Sequence, residues 1–300
     1  MDLQAGRAPT ARRQVALALG AGGARGLAQI GAIQAIEARG MEIVTISGAS
    51  SGALVGGIHA AGRLHEFAEV LQGMSRGDFL RLLDPVLARP GVIGGSRLVD
   101  AMREVVGDPL IETLPIAFTA VAVDMERQRE VWLRDGPLWD ALRASFAIPG
   151  LFTPHPVHGR DLVDGGLLAP LPITATRLSQ AHCLIAVDMH GWPRRPPRPH
   201  GDASGPSIAS ELPAGRRRLA RWLDRRLGND PDEMGFAETM SRAIDTMQAQ
   251  IARVQLALDP PDIVIRIPRD VCQFYEFWRA RDLIVVGRDA ADRALDEAGC

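Results

Sequence analysis

The 300-residue chain is 46% hydrophobic and 23% charged; that is apolar enough to offset chain entropy in one large domain or two small ones, which excludes a disordered polymer. Its 34 basic and 36 acidic residues leave a formal charge of -2, too balanced for a dedicated nucleic-acid binder. Every basic residue is Arg and none is Lys, so P-loop lysines, Schiff-base chemistry and Ser–Lys dyads are excluded, and any nucleophile must find its base among His, Asp and Glu.

Residues 1–13 read as a flexible tail. Arg12-Arg13 ahead of Val15–Leu19 mimics the start of a secretory signal, but the apolar stretch meets Gly20, Gly22, Gly23, Arg25 and Gly26, a poor signal core. Val15–Leu19 is therefore read as a buried parallel strand entering a loop. Leu27, Ile30, Ile33 and Ile36 recur at helical spacing before Gly40; Ile43–Ser47 reads as a second strand and Ser51–Ala61 as a small-residue helix. Strand, helix, strand, helix implies an α/β sheet built on a βαβ unit. Amphipathic helices are predicted at Arg63–Met74 and Ser96–Val106, a hairpin at Ile116–Asp124 and Glu130–Leu133, and a helix at Leu138–Phe146 stopped by Pro149-Gly150. Asp161–Asp164 reads as a short strand and Cys183–Met189 as a buried one. Residues 191–215 form a Pro/Arg-rich loop. Helices follow at Arg216–Leu227 and Phe236–Leu258, with Met240 and Met247 read as core packing, then a strand at Ile263–Ile267 and a terminal helix near Asp289–Glu297. The expected domain plan is a catalytic core over 14–190 with a helical and strand elaboration over 216–300 packed on it.

The cysteines, Cys183, Cys272 and Cys300, show neither CxxC spacing nor a disulfide framework, which favours a reducing cytoplasm. No run approaches the ~18 apolar residues of a membrane span, and no ligand-spaced acidic cluster calls for calcium, so neither metal nor cofactor is expected.

Three segments carry chemistry. Gly20-Ala21-Gly22-Gly23-Ala24-Arg25-Gly26 lies between a predicted strand and helix, where backbone N–H groups can face an anion. A dinucleotide pyrophosphate fits badly, since Arg25 takes the third glycine position and the second strand lacks a ribose-binding acid; the oxyanion of acyl transfer is the other candidate. Gly48-Ala49-Ser50-Ser51-Gly52 places a G-x-S-x-G between strand and helix, the setting of a nucleophile elbow. There Gly48 and Gly52 permit crowded backbones, and the turn would push the Ser50 hydroxyl out of the sheet edge. Asp164-Gly165-Gly166 follows a short strand and on its own marks a turn. A histidine base after the acid would have to be His182, His190 or His200, and that option stays open at this stage.

In this order the segments resemble the patatin-like phospholipases, especially the compact bacterial branch. The resemblance covers residues 14–190 and extends to Ala144-Ser145-Phe146-Ala147-Ile148-Pro149-Gly150-Leu151-Phe152 and Ala120-Val121-Ala122-Val123-Asp124. It implies a three-layer sandwich around a mainly parallel sheet and a histidine-free dyad. Ser50 would be the nucleophile and Asp164 the base; the N–H groups of Gly22, Gly23 and Ala24 would form the oxyanion hole, with Arg25 and Gly26 supporting that loop. Ala21 stands where plant-type members have a third glycine, a position at which compact bacterial relatives vary, and Ala169 stands where relatives commonly place Asn. The implied activity is hydrolysis of acyl esters of phospholipids or lysophospholipids; a scaffold without turnover and an acyltransferase are the alternatives.

From Trp192 to Arg226 nine arginines face three acids, Asp202, Glu211 and Asp224. The Arg216–Arg226 segment fits either an interfacial helix seeking anionic lipid or an exterior helix with its leucines packed inward. Peripheral membrane contact there is thus an expectation, and nucleic acid is not an expected partner.

Overall fold

The computed structural model describes residues 13–82, 96–194 and 236–300. The tail over 1–12, most of the Pro/Arg-rich loop and the Arg216–Leu227 helix lie outside the described residues.

Elements run β1 (Gln14–Leu19), α1 (Ala28–Ala38), β2 (Glu42–Ala49), α2 (Ser51–Ala60), α3 (Leu64–Gly73), α4 (Arg76–Leu82), α5 (Ser96–Val106), β3 (Ala117–Asp124), β4 (Arg129–Leu133) and α6 (Leu138–Ser145). They continue with β5 (His155–Val157), β6 (Arg160–Asp164), β7 (Cys183–Gly191), α7 (Phe236–Leu258), β8 (Ile263–Pro268) and α8 (Ala280–Glu297). The strands make one sheet in the order β5-β6-β3-β2-β1-β7-β8, with β4 paired to β3. The five strands from β3 to β8 in that order run parallel, while β4, β5 and β6 pair antiparallel. The sheet continues past residue 190, because β8 adds to β7.

The alternation along β1 explains the layers. Val15, Leu17 and Leu19 join the large core that includes Ile30, Ile33, Ile46, Ile58 and Ile284, from α1, β2, α2 and α8. Ala16 and Ala18 point to the other face, where Ala186 of β7 and Ala252 of α7 join them. Small residues on that face let α7 approach the sheet closely. The fold is therefore a three-layer sandwich, a mixed sheet with helices on both faces.

Three differences from expectation have local causes. The terminal helix begins at Ala280 rather than near Asp289, because the apolar run Leu283-Ile284-Val285-Val286 obscures helical periodicity and docking on α1 selects the helix. A Cβ on Gly287 would lie 1.7 Å from the Ala28 carbonyl, and one on Gly31 1.9 Å from that of Ile284. Met240 and Met247 are not core residues but 42% and 53% exposed; α7 turns Ala249 and Ala252 inward instead. Strand β5 was not anticipated; its three residues are too short for a sequence period and exist through pairing with β6.

Candidate active site

Register brings the chemistry together. Leu19 pairs with Gly48 and with Val187, so β1 and β2 finish together beside β7, which runs on to Gly191, at the edge where open α/β sheets bind ligands. β3 lies between β2 and β6, with Val121 opposite Ala49 and Ala122 opposite Asp164. Residues 50 and 164, 114 positions apart in sequence, thus end on either side of one strand.

Ser50 has φ 54° and ψ -123°, a left-handed backbone that is costly for a residue with a Cβ. Surrounding contacts enforce it. Its N–H donates to Ser145 Oγ at 3.0 Å, and α2 starts directly behind it. Gly52 must be glycine because a Cβ would lie 2.2 Å from the Leu19 carbonyl, and Gly48 because it would press on the Ala53 backbone nitrogen at 2.5 Å. Gly26 leaves room for the Ser51 hydroxyl.

The Ser50 hydroxyl donates to Asp164 Oδ2 at 2.6 Å. The other oxygen, Oδ1, accepts the Gly166 N–H at 2.6 Å, and the Asp164 N–H is held by the Ala147 carbonyl at 3.0 Å. Both side chains are buried. Burial pushes the Asp164 carboxyl up to about 7, against the opposing hydrogen bonds from Ser50 and Gly166. No histidine hydrogen-bonds to Ser50 or Asp164 among the described residues. His155 lies 3.2 Å from Asp140 and His190 lies 3.5 Å from Asp188. His59 is buried 3.5 Å from Glu37, and burial pushes it down to about 4.

The glycine loop is anchored by Gly20 and Ala21, whose N–H groups donate to Val187 and Pro170. Gly23 has φ +56°, and any Cβ there would strike the Phe274 ring. The N–H groups of Gly22 and Gly23 have no partner among the described residues. Ala24 departs from the expectation: its N–H donates to the Phe274 carbonyl at 2.8 Å, so it is engaged in holding the loop rather than available to an oxyanion. Arg25, the adjacent residue, is buried and reaches the Arg269 carbonyl at 3.1 Å and the Asp245 carboxylate. Sequence reasoning did not assign roles to Ser145 or Phe274. Only the place of Ser145 within the Ala144–Phe152 segment, at the end of α6, hinted at one, and nothing marked Phe274.

Among the described residues no group of three or more His, Cys, Asp and Glu side chains could hold a metal, and no helix is long and apolar enough to cross a membrane.

The family profile described as patatin-like phospholipase matches residues 17–177. An uncharacterised NTE family protein of Mycobacterium tuberculosis (strain ATCC 25618 / H37Rv) is 40% identical, over 94% of this chain and 91% of that protein. This chain belongs to the patatin-like phospholipase family. An NTE family protein of Mycobacterium bovis, also uncharacterised, shows the same identity and coverage as the M. tuberculosis one. The lysophospholipase NTE1 of Saccharomyces cerevisiae is 30% identical over 63% of this patatin-family chain but only 12% of its own length. The crystal structure of VipD from Legionella pneumophila is similar at TM-score 0.47 and 14% identity, over 99% of this chain and 70% of that one, too distant to carry function. The matched span holds the glycine loop, Ser50 and Asp164, and ends before β7, α7, β8 and α8.

Proposed function

We propose that this patatin-family chain is a serine acyl hydrolase that cleaves acyl esters of phospholipids or lysophospholipids. The observation that carries the reading is the 2.6 Å contact from Ser50 Oγ to a buried carboxylate, made at a strained elbow beside two unengaged N–H groups. In this reading Oγ attacks the ester carbonyl carbon while its proton passes to Asp164. The carbonyl oxygen becomes an oxyanion facing the Gly22 and Gly23 N–H groups, each such donor contributing roughly 2.7–4 kcal/mol. Collapse breaks the ester bond, and the leaving alcohol takes the proton from Asp164. Water then gives a proton to Asp164 and attacks the acyl-enzyme, which releases the fatty acid and returns the proton to Ser50.

A carboxyl raised to about 7 suits base duty near neutral pH, where an ordinary aspartate would be too weak. The lipid class rests on the family and on the name of the yeast relative. Peripheral contact of Arg216–Arg226 with anionic lipid belongs to the same proposal; it fails if vesicle co-sedimentation is indifferent to lipid charge and to neutralising Arg216–Arg218.

A fluorophosphonate probe tests the chemistry. Covalent labelling at Ser50, lost in Ser50→Ala and nearly lost in Asp164→Asn together with hydrolysis of a lysophospholipid panel, is the expected result. Undiminished hydrolysis in folded Asp164→Asn would remove the dyad and send the search for a base back to the histidines.

A further inference from the structure

Helix α7 lies beyond the matched family span, yet its inner face touches both halves of the site. Asp245 accepts a hydrogen bond from Arg25. One turn on, Gln248 sits where a Cβ on Gly166 would lie 2.5 Å from its amide nitrogen. Two turns further, Gln255 Oε1 accepts the Leu171 N–H at 3.2 Å. Along one helix, then, Asp245 meets the glycine loop and Gln248 meets the turn that presents Asp164.

The Asp245–Arg25 contact matters most, because Arg25 is a buried cation at 5% exposure and Asp245 is its carboxylate partner. Its other hydrogen bond goes to a neutral carbonyl, that of Arg269. A buried charge stripped of its counter-ion is strongly destabilised and relieves this by moving toward water. Arg25 cannot move alone. It lies two residues from Gly23 in a tight turn of the backbone, and the space around that backbone is filled: Met189 lies where a Cβ on Gly22 would be, and Phe274 where one on Gly23 would be. His190 completes the surroundings, its ring 98% buried and its Nε2 3.7 Å from Asp245, beyond hydrogen-bond reach.

We propose that Asp245 is a positioning residue for the acyl-transfer reaction, holding Arg25 and through it the Gly22 and Gly23 N–H groups at the angle an oxyanion requires. This rests on the hydrolase reading above and adds a residue of the C-terminal elaboration to it. A helix outside the matched family span thereby completes the active site.

The experiment uses the full chain and compares wild type with Asp245→Asn, Asp245→Glu, Arg25→Gln and the Arg25→Gln/Asp245→Asn double variant, on an ester and on the corresponding thionoester. Sulfur accepts hydrogen bonds poorly, so a thionoester gains little from N–H donors. Displaced donors therefore slow the ester more than the thionoester, whereas damage to Ser50 or Asp164 slows both alike. Asp245→Asn is expected to lower kcat for the ester by about tenfold to a hundredfold with KM little changed, and to lower the ester/thionoester ratio about tenfold. Asp245→Glu should recover most of the loss. The double variant, which removes both charges and so keeps a foldable interior if Asp245→Asn does not, should be no slower than Arg25→Gln alone. Wild-type kcat in folded Asp245→Asn, parallel loss on both substrates, or additive loss in the double variant overturns the inference while leaving the hydrolase reading intact. A wild type that neither hydrolyses ester nor labels at Ser50 overturns that reading, and this inference with it.

Discussion

Ser145 joins the elbow to the sheet: its Oγ accepts the Ser50 N–H at 3.0 Å and donates to the Val121 carbonyl at 2.6 Å. Ser145 is fully buried, and Val121 sits opposite Ala49 in the register. One hydroxyl thus satisfies a donor and an acceptor that water does not reach, and fixes the backbone of the residue at φ 54°.

Ser145→Ala leaves both groups unpaired, so we expect a stability loss of about 1–3 kcal/mol. Because the relay holds Ser50 in position, kcat should fall with it. Chemical denaturation and steady-state kinetics on the same preparation check both; wild-type stability in Ser145→Ala would show that the relay is dispensable.

Asp164→Asn should make the protein more stable while removing activity. The native carboxyl holds its proton up to about pH 7, whereas in the unfolded chain it ionises near its ordinary value of 3.8. Between those values the native state binds more protons, so the contribution of this residue to stability is full below the lower value and is lost as pH rises through the upper. Asn does not titrate. Its advantage should therefore grow from pH 4 to pH 8 and reach roughly 2–4 kcal/mol, read as denaturation midpoints across that range. An advantage constant with pH would contradict a raised Asp164.

Activity should run the opposite way. Only the ionised carboxyl can take the serine proton, so kcat/KM is expected to rise with pH along a limb with an apparent pKa near 7, the value to which burial lifts Asp164. A profile already flat from about pH 5 upward would mean an ordinary aspartate or a different base.

The α1–α8 contact offers a test of the fold away from the chemistry. Gly287→Ala would put a methyl 1.7 Å from the Ala28 carbonyl, and forcing the helices apart should cost about 3 kcal/mol or more. Gly73→Ala, with open space around it, should be neutral or gain a few tenths of a kcal/mol. Equal melting temperatures for the two variants would mean that the helices do not meet at Gly287.

How far the chain could be read without coordinates depended on the range of each signal. Val15–Leu19, the elbow around Ser50 and the helix at Phe236–Leu258 announce themselves within a few residues, through apolar runs, glycines and helical spacing. The nine residues at the front of α8 did not, since their helical state comes from docking on Gly31. Met240 and Met247 looked like core because methionine usually is, and which side of α7 faces the sheet is set by where Ala249 and Ala252 fit.

By itself the sequence determined the residue types available for chemistry, with no lysine to act as base, and the local geometry that glycines at 48 and 52 permit around Ser50. Tertiary structure alone decided which acid meets that hydroxyl and which loop amides stay unengaged. It did so through the β2–β3–β6 register that sets Asp164 across one strand from the elbow, and through a Phe274 carbonyl that occupies the Ala24 N–H while leaving those of Gly22 and Gly23. Pairing of strands far apart in sequence depends on the burial of the whole sheet, which no local pattern encodes.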